Sequence, residues 1–219
     1  MKIILFFGPP GSGKGTQANI LLQNFSNLVY IATGDLIRKN INQQTEIGKI
    51  AEKYINQGLL VPSEIINQMV KEEISKLKSS VTTIKGIILD GYPRTIDQLQ
   101  FIIRNFSEPC ITFFFDLSLE KVIERISYRR ICPNCNSIYH MIYNKPQKDE
   151  ICDKCNTNLI QRKDDKEEVI KKRYKIYLEE TLPIIEKMRE LELNILKIDA
   201  SQEINKINQI ITEAINEML

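Results

Sequence analysis

The run Lys2-Ile-Ile-Leu-Phe-Phe7 leads straight into Gly8-Pro-Pro-Gly-Ser-Gly-Lys-Gly-Thr16, and an amphipathic stretch begins at once. The order is strand, glycine loop, helix. Glycines let the backbone turn its N–H groups toward one point with no Cβ in the way, the helix start brings its positive end there, and Lys14 adds a mobile cation. Gly11, Ser12, Gly13, Lys14, Gly15 and Thr16 are therefore expected to cradle nucleotide phosphates. A plain glycine turn with a surface lysine would not need the strand before, the helix after and the lysine at this offset. One feature departs from the general loop: Gly15 follows the lysine, and the hydroxyl comes one residue later at Thr16, which weakens a Mg²⁺ role for Thr16.

Outward from the loop, Ala18, Leu21, Leu22 and Phe25 recur at helical spacing, and Leu28 to Ala32 is a short apolar strand. That strand delivers Thr33-Gly-Asp-Leu-Ile-Arg38, with Asp35 able to cap a helix and Arg38 in its first turn. The region to Gly58 is too polar for a core layer and is expected to be a small excursion. Ile65, Ile66, Met69, Val70, Ile74 and Leu77 then stripe a long helix from Ser63. Gly86 to Asp90 reads as a strand buried on both faces. Its terminal carboxylate is either a Mg²⁺ partner or a cap for the Gly91-Tyr92-Pro93 turn. Arg94 and Gln98, four apart, are expected on one helix face reaching one ligand.

Ile111 to Leu117 is another buried strand, preceded by Cys110 as a buried small hydrophobe and followed from Ser118 by a helix. Arg125 and Arg129 near that helix's end serve either a ligand or the helix dipole, and Arg130 the surface. After residue 165, Val169, Ile170, Tyr174, Tyr177 and Leu178 mark an inward face, Pro183 starts or kinks a further helix, and Leu193 to Ile198 is the last strand. Ile204, Ile207, Ile211, Ile215 and Met218 line the final helix. The pattern predicts an α/β fold, a five-stranded parallel sheet with flanking helices.

Cys132-Pro-Asn-Cys135 and Cys152-Asp-Lys-Cys155 break the βα rhythm, separated by sixteen residues. That spacing fits a four-cysteine zinc ribbon, with two strained disulfides as the competitor and Asp153 near enough to replace one ligand. His140 lies off the ligand spacing and is expected to pack. The net charge of +2, with basic and acidic residues intermixed, argues against nucleic acid or anionic membrane as partners. No run reaches a membrane span, so a cytoplasmic location is the default expectation.

Gly8 to Gln17, Thr33 to Arg38, Gly58-Leu-Leu-Val-Pro-Ser-Glu64, Leu89-Asp-Gly-Tyr-Pro-Arg-Thr95, the four cysteines and Gln161-Arg-Lys-Asp-Asp165 together resemble the adenylate kinases with a long, zinc-bearing lid. The Gly15-Thr16 ending is what that family shows; Tyr92 and Ala200 differ from its usual residues. The resemblance implies transfer between MgATP and AMP giving two ADP on a phosphate-loop nucleoside monophosphate kinase fold. It implies a core of 1–31, 62–127 and 166–219, a monophosphate-binding insert at 32–61 and a zinc-ribbon lid at 128–165, in a monomer. AMP would be met by Thr33, Arg38, Leu59, Leu60, Val61, Gly91, Tyr92, Pro93, Arg94 and Gln98. ATP would be met by Gly11 to Thr16, Arg125, Arg129, Ile138, Tyr139 and Gln202. Arg162, from the lid, and Arg173, from the helix behind it, would reach the phosphates and count among the AMP residues; Asp90 would be linked to Mg²⁺, and Lys14, Arg94, Arg129, Arg162 and Arg173 would carry catalysis. A kinase for another monophosphate, a ribbon that binds nucleic acid, and a phosphate-loop switch are the alternatives.

Overall fold

The computed structural model describes residues 1–78, 84–106 and 109–218. Strands β1 (Lys2–Phe7), β2 (Leu28–Ala32), β3 (Gly86–Asp90), β4 (Ile111–Asp116) and, after a short β5 (Arg129–Ile131) and β6 (Ile138–His140), β7 (Ile195–Asp199) are the sheet strands of the described chain. Five of them form one parallel sheet in the order β2-β3-β1-β4-β7, and β5 pairs antiparallel with β6. The strands are short apolar runs because both faces are covered. Ile3, Leu5, Phe7, Ile87, Leu89 and Phe114 enter one apolar cluster, while Ile4, Phe6, Ile88, Phe113 and Phe115 enter the other. That is the two-residue alternation of a strand read onto two faces.

The helices are α1 (Lys14–Asn24), α2 (Thr33–Asn42), α3 (Glu46–Asn56), α4 (Ser63–Lys78), α5 (Ile96–Asn105), α6 (Leu119–Ser127), α7 (Glu167–Ile176), α8 (Pro183–Glu190) and α9 (Ile204–Met218). Polar residues cap several: the side chains of Thr45, Thr95 and Ser118 accept from the amides of Gly48, Gln98 and Lys121. Because β1 has β3 on one side and β4 on the other, the loop after β1 sits where the strand order reverses, the place where open α/β sheets bind ligands.

Four expectations are corrected. Asp35 does not cap: α2 begins two residues earlier, and Asp35 lies within its first turn, where its charge suits the dipole. Leu178 is exposed because Tyr177–Thr181 forms one wide π turn, its Leu182 amide donating to the Tyr177 carbonyl at 2.7 Å, which rotates the following residues. Ile204 opens α9 at the cavity rim and is 43% exposed. Cys110 is only half-buried. Among the described residues no helix is long and apolar enough to cross a membrane.

Candidate active site at the carboxyl edge of the sheet

One cavity of about 1030 Å³ opens over the carboxyl ends of β1, β2 and β3. Gly8 and the run from Pro10 through Gln17 form one wall, and the loop is shaped by positions that only glycine fills. A Cβ on Gly8 would stand 2.4 Å from the Phe115 carbonyl. Gly13 caps α1 at φ +88° and lines the cavity at that helix's positive end. Lys14 Nζ is folded back onto its own loop, donating to the carbonyls of Gly8 (3.0 Å) and Pro9 (2.8 Å) and lying 3.1 Å from Ser12 Oγ. Burial lowers its pKa to about 8; Asp90 opposes the fall and Arg94 adds to it.

Asp90 ends β3, and the Tyr30 hydroxyl on β2 donates to its Oδ2 at 2.7 Å. Burial and the neighbouring Asp90 charge hold the Tyr30 phenol well above its ordinary pKa. The turn after Asp90 contains a cis Tyr92–Pro93 peptide. It presents Arg94, which is fixed from three sides: Nε donates to the Gly91 carbonyl (2.9 Å), its amide donates to Gln98 Oε1 (2.7 Å), and its carbonyl accepts from Thr181 Oγ1 (3.1 Å). Arg94 therefore precedes α5, and the expected shared helix face with Gln98 does not exist. Gln98 is 2% exposed and braces Arg94 from behind.

The opposite wall is a set of half-buried arginines on carboxylate struts. Arg129 opens β5 and grips Asp165 with Nε (2.9 Å to Oδ2) and Nη2. Arg173 on α7 donates to Asp164 Oδ2 at 2.8 Å and lies 3.6 Å from Asp165 Oδ1. Burial works against the charge on Arg129, yet Asp165 outweighs it and leaves the pKa raised. Arg162 and Arg94, with less compensation, are lowered by burial to about 9 and about 10, each further depressed by neighbouring arginines. Crowded, poorly hydrated cations of this kind favour a multiply charged anion. Arg38 pairs with Asp35, and Arg162 Nη2 lies 4.0 Å from the same carboxylate, so the segment that precedes α7 reaches across to α2.

The region between β5 and residue 160 is built from two copies of one turn. Cys132 and Cys152 accept the amides of Asn136 and Asn156 on their carbonyls, and both asparagines have positive φ (58° and 55°). The Cys132 and Cys152 amides then donate to the Ser137 and Thr157 carbonyls, both at 2.9 Å. All four thiols lie within 4.8 Å of one another, with Sγ–Sγ separations of 3.3, 3.5 and 3.6 Å among them. These are far beyond a disulfide's ~2.05 Å and close to the ~3.8 Å edge of a tetrahedron with ~2.3 Å metal–sulfur bonds. The donor set fits Zn²⁺, and the four cysteines are free thiols in the structure. Asp153 is not among them; its Oδ1 accepts from the Gln147 amide. His140 packs as expected, stacked on Tyr143 at 4.7 Å with Nδ1 accepting from two backbone amides.

Gly11 to Thr16, Arg38, Leu59, Leu60, Asp90, Gly91, Pro93, Arg94, Arg125, Arg129, Ile138, Tyr139, Arg162, Arg173 and Gln202 all line the cavity. Thr33, Val61, Tyr92 and Gln98 do not, being 3%, 5%, 1% and 2% exposed. Thr33 Oγ1 donates to the Gly91 carbonyl (2.8 Å), and the Tyr92 hydroxyl donates to Asn67 Oδ1 (2.5 Å). The Tyr139 side chain faces the cysteines, 3.4 Å from Cys152 Sγ. Sequence reading missed Tyr30, Asp164, Asp165 and Thr181 as site residues. The repeated Cys-Asn-Ser/Thr after each knuckle was a readable signal for its turn; nothing local marked Thr181.

A family model described as adenylate kinase matches residues 6–192. The chain is similar to an adenylate kinase of Petrotoga mobilis, 44% identical over 94% of each chain. It is also similar to one of Caldicellulosiruptor bescii, 44% identical over 85% of this chain and 86% of that one, and to one of onion yellows phytoplasma, 39% identical over 97% of each.

Proposed function

The chain belongs to the adenylate kinase family, and on that premise we propose that it transfers the terminal phosphoryl group of MgATP to AMP, reversibly, giving two ADP. The observation that carries the reading is the convergence of two anion receptors on one cavity, the loop with Lys14 on one side and Arg38 with Arg94 on the other. A one-substrate phosphate-loop switch has no use for the second.

Transfer between phosphates passes through a loose, highly charged state, so positioning and charge neutralisation supply the catalysis and no general base is required. Gly11 to Thr16 hold the triphosphate, and Lys14 leaves its own loop carbonyls for phosphate oxygens. Arg38 and Arg94 hold the AMP phosphate in line. Arg129, Arg162 and Arg173 neutralise the equatorial oxygens, with Asp164 and Asp165 fixing their forks. Asp90 would hold the Mg²⁺ that arrives with ATP. Leu59, Leu60, Gly91, Pro93 and Arg94 contact AMP. Arg125, the Ile138–Tyr139 backbone and Gln202 contact ATP. Thr33, Tyr92 and Gln98 act by shaping that wall.

Residues 32–61 and 128–165 move as two covers on the core of 1–31, 62–127 and 166–219. Ile138 Cδ1 lies 3.9 Å from where a Cβ on Gly15 would stand, so the lid lies on the phosphate loop here. Closing excludes the water that would otherwise take the phosphoryl group. Zinc, held by Cys132, Cys135, Cys152 and Cys155, gives the lid its fold; four thiolates leave no open position for substrate. The protein acts as a cytoplasmic monomer. The test is direct: with Mg²⁺, the purified chain should convert ATP and AMP to ADP and hydrolyse ATP alone far more slowly. Preference for GMP, UMP or CMP over AMP overturns the substrate.

A further inference from the structure

The phosphate loop has glycine where the general loop carries the hydroxyl after its lysine. The space beside it is not empty. The Tyr30 Oη lies 3.2 Å from the point where a Cβ on residue 15 would stand, and Asp90 Oδ2 lies 4.0 Å from the same point. We infer that Tyr30, reaching in from β2, supplies the hydroxyl that the loop lacks at position 15, and that with Asp90 it forms the seat for the hydrated Mg²⁺ of MgATP. This rests on the reading of the cavity as a MgATP site.

The geometry constrains the roles. Ala32 pairs with Asp90 across the β2–β3 ladder, so Tyr30 sits two residues back on the same face. Its ring packs against the apolar cluster that holds Ile4, Phe6 and Ile88, and the residue also lines the cavity. A phenylalanine would satisfy that packing equally; the hydroxyl is needed only at the upper end. A carboxylate can only accept, so the phenol must donate to Asp90 Oδ2, at 2.7 Å. That bond fixes the carboxylate's orientation and leaves Oδ1, together with the phenol's lone pairs, to accept from water on the cation. Side chain and loop are complementary: a serine at 15 would crowd the phenol, and a glycine leaves it room. Tyr30 is thus a positioning residue that would also face the hydrated ion, held on a strand rather than on the loop.

The test compares ATP binding by calorimetry with saturating Mg²⁺ and with EDTA. Tyr30→Phe should weaken MgATP binding about tenfold, as loss of a hydrogen bond to a charged group does, while metal-free ATP binds as before. Asp90→Asn should do the same, and the double variant should lose no more than either. Mn²⁺ bound with ATP should show an altered electron paramagnetic resonance spectrum in Tyr30→Phe. An unchanged ratio of Mg²⁺-bound to metal-free affinity in Tyr30→Phe, or an equal fall in both, overturns the inference. Should Tyr30→Phe not fold, Gly15→Ser/Tyr30→Phe returns a hydroxyl to the loop and should keep the wild-type ratio; failure to do so also overturns it. Formation of ADP from ATP and AMP by the wild type is read separately, so the reading of the reaction can stand while this inference falls.

Discussion

The two segments proposed to cover the cavity, residues 32–61 and 128–165, are held together in opposite ways. The helical one feeds Ile37, Ala51 and Val61 into the large apolar cluster under the sheet, with Ile41, Ile47, Tyr54 and Ile55 packed against it. The ribbon has a separate cluster of its own, whose buried members are Cys132, Tyr139, Cys152 and Leu159. Two of those four belong to the thiol cluster itself. One cover is thus an outgrowth of the main core, whereas the other contains little apolar surface of its own and is expected to depend on a metal held by its four cysteines. The two segments should therefore fail differently.

Metal removal tests that difference most severely. Structural zinc sites carry on the order of 10 kcal/mol of folding free energy. Chelation, or Cys152→Ser with Cys155→Ser, should strip hydrogen-exchange protection from residues 128–165 and lower the melting temperature. Residues 32–61 should keep their protection, and phosphoryl transfer at 25 °C should persist at a reduced rate. Activity abolished by chelation with the circular dichroism intact, and restored by zinc, would mean that the metal positions Arg129 or Arg162 directly.

Arg94 belongs to neither cover; its three hydrogen bonds are all to the core. Arg94→Lys should lower kcat by roughly 10²-fold or more, about 3 kcal/mol, because a lysine lacks the planar fork. The same factor should appear in metal-free and zinc-loaded protein. A rise in KM for AMP alone would make Arg94 a binding residue only.

Ile37→Ala probes the other cover. Removing a buried isoleucine should cost about 2–5 kcal/mol, and urea unfolding should remain one transition, since that helix shares the main core. A separate early transition would show that the helical cover is as independent as the ribbon.

The smallest effect is in pH. Lys14 is lowered to about 8 from 10.5, so between those values the unfolded chain holds a proton that the folded one has released. This group's contribution to stability therefore rises with pH across that window, while binding suffers. Above about pH 8, kcat/KM for ATP should fall, by up to roughly tenfold per unit, and kcat should not, because bound phosphates return the proton.

What the sequence made legible was whatever depends on local spacing. The phosphate loop, the doubly buried strands and the paired knuckles are each complete within a short stretch, and the structure reproduces them. Arg94 and Gln98 show where this stops: four-residue spacing implied a shared helix face, but α5 starts at Ile96, and Gln98 turned out to be a brace. Leu178 and Ile204 are apolar and in phase with buried neighbours, yet a wide turn and a cavity rim expose them. Tyr30 lies unmarked within the apolar strand Leu28 to Ala32, because its meaning comes from the loop opposite it, fourteen residues or more away in sequence.

The wide turn at Tyr177–Thr181 makes chain length itself a constraint. In a regular helix two residues eight apart drift by ~80° around the axis, which would carry Thr181 off the face that Arg173 presents to the cavity. The wide turn absorbs that drift, and both side chains line the same space. The segment between them therefore behaves as a gauge block in which the number of residues, more than their identity, is what matters. Substitutions at exposed Leu178, Glu179 or Glu180 should be well tolerated, whereas deleting any one of the three would turn Thr181 away from the Arg94 carbonyl and everything beyond it by about a quarter of a revolution.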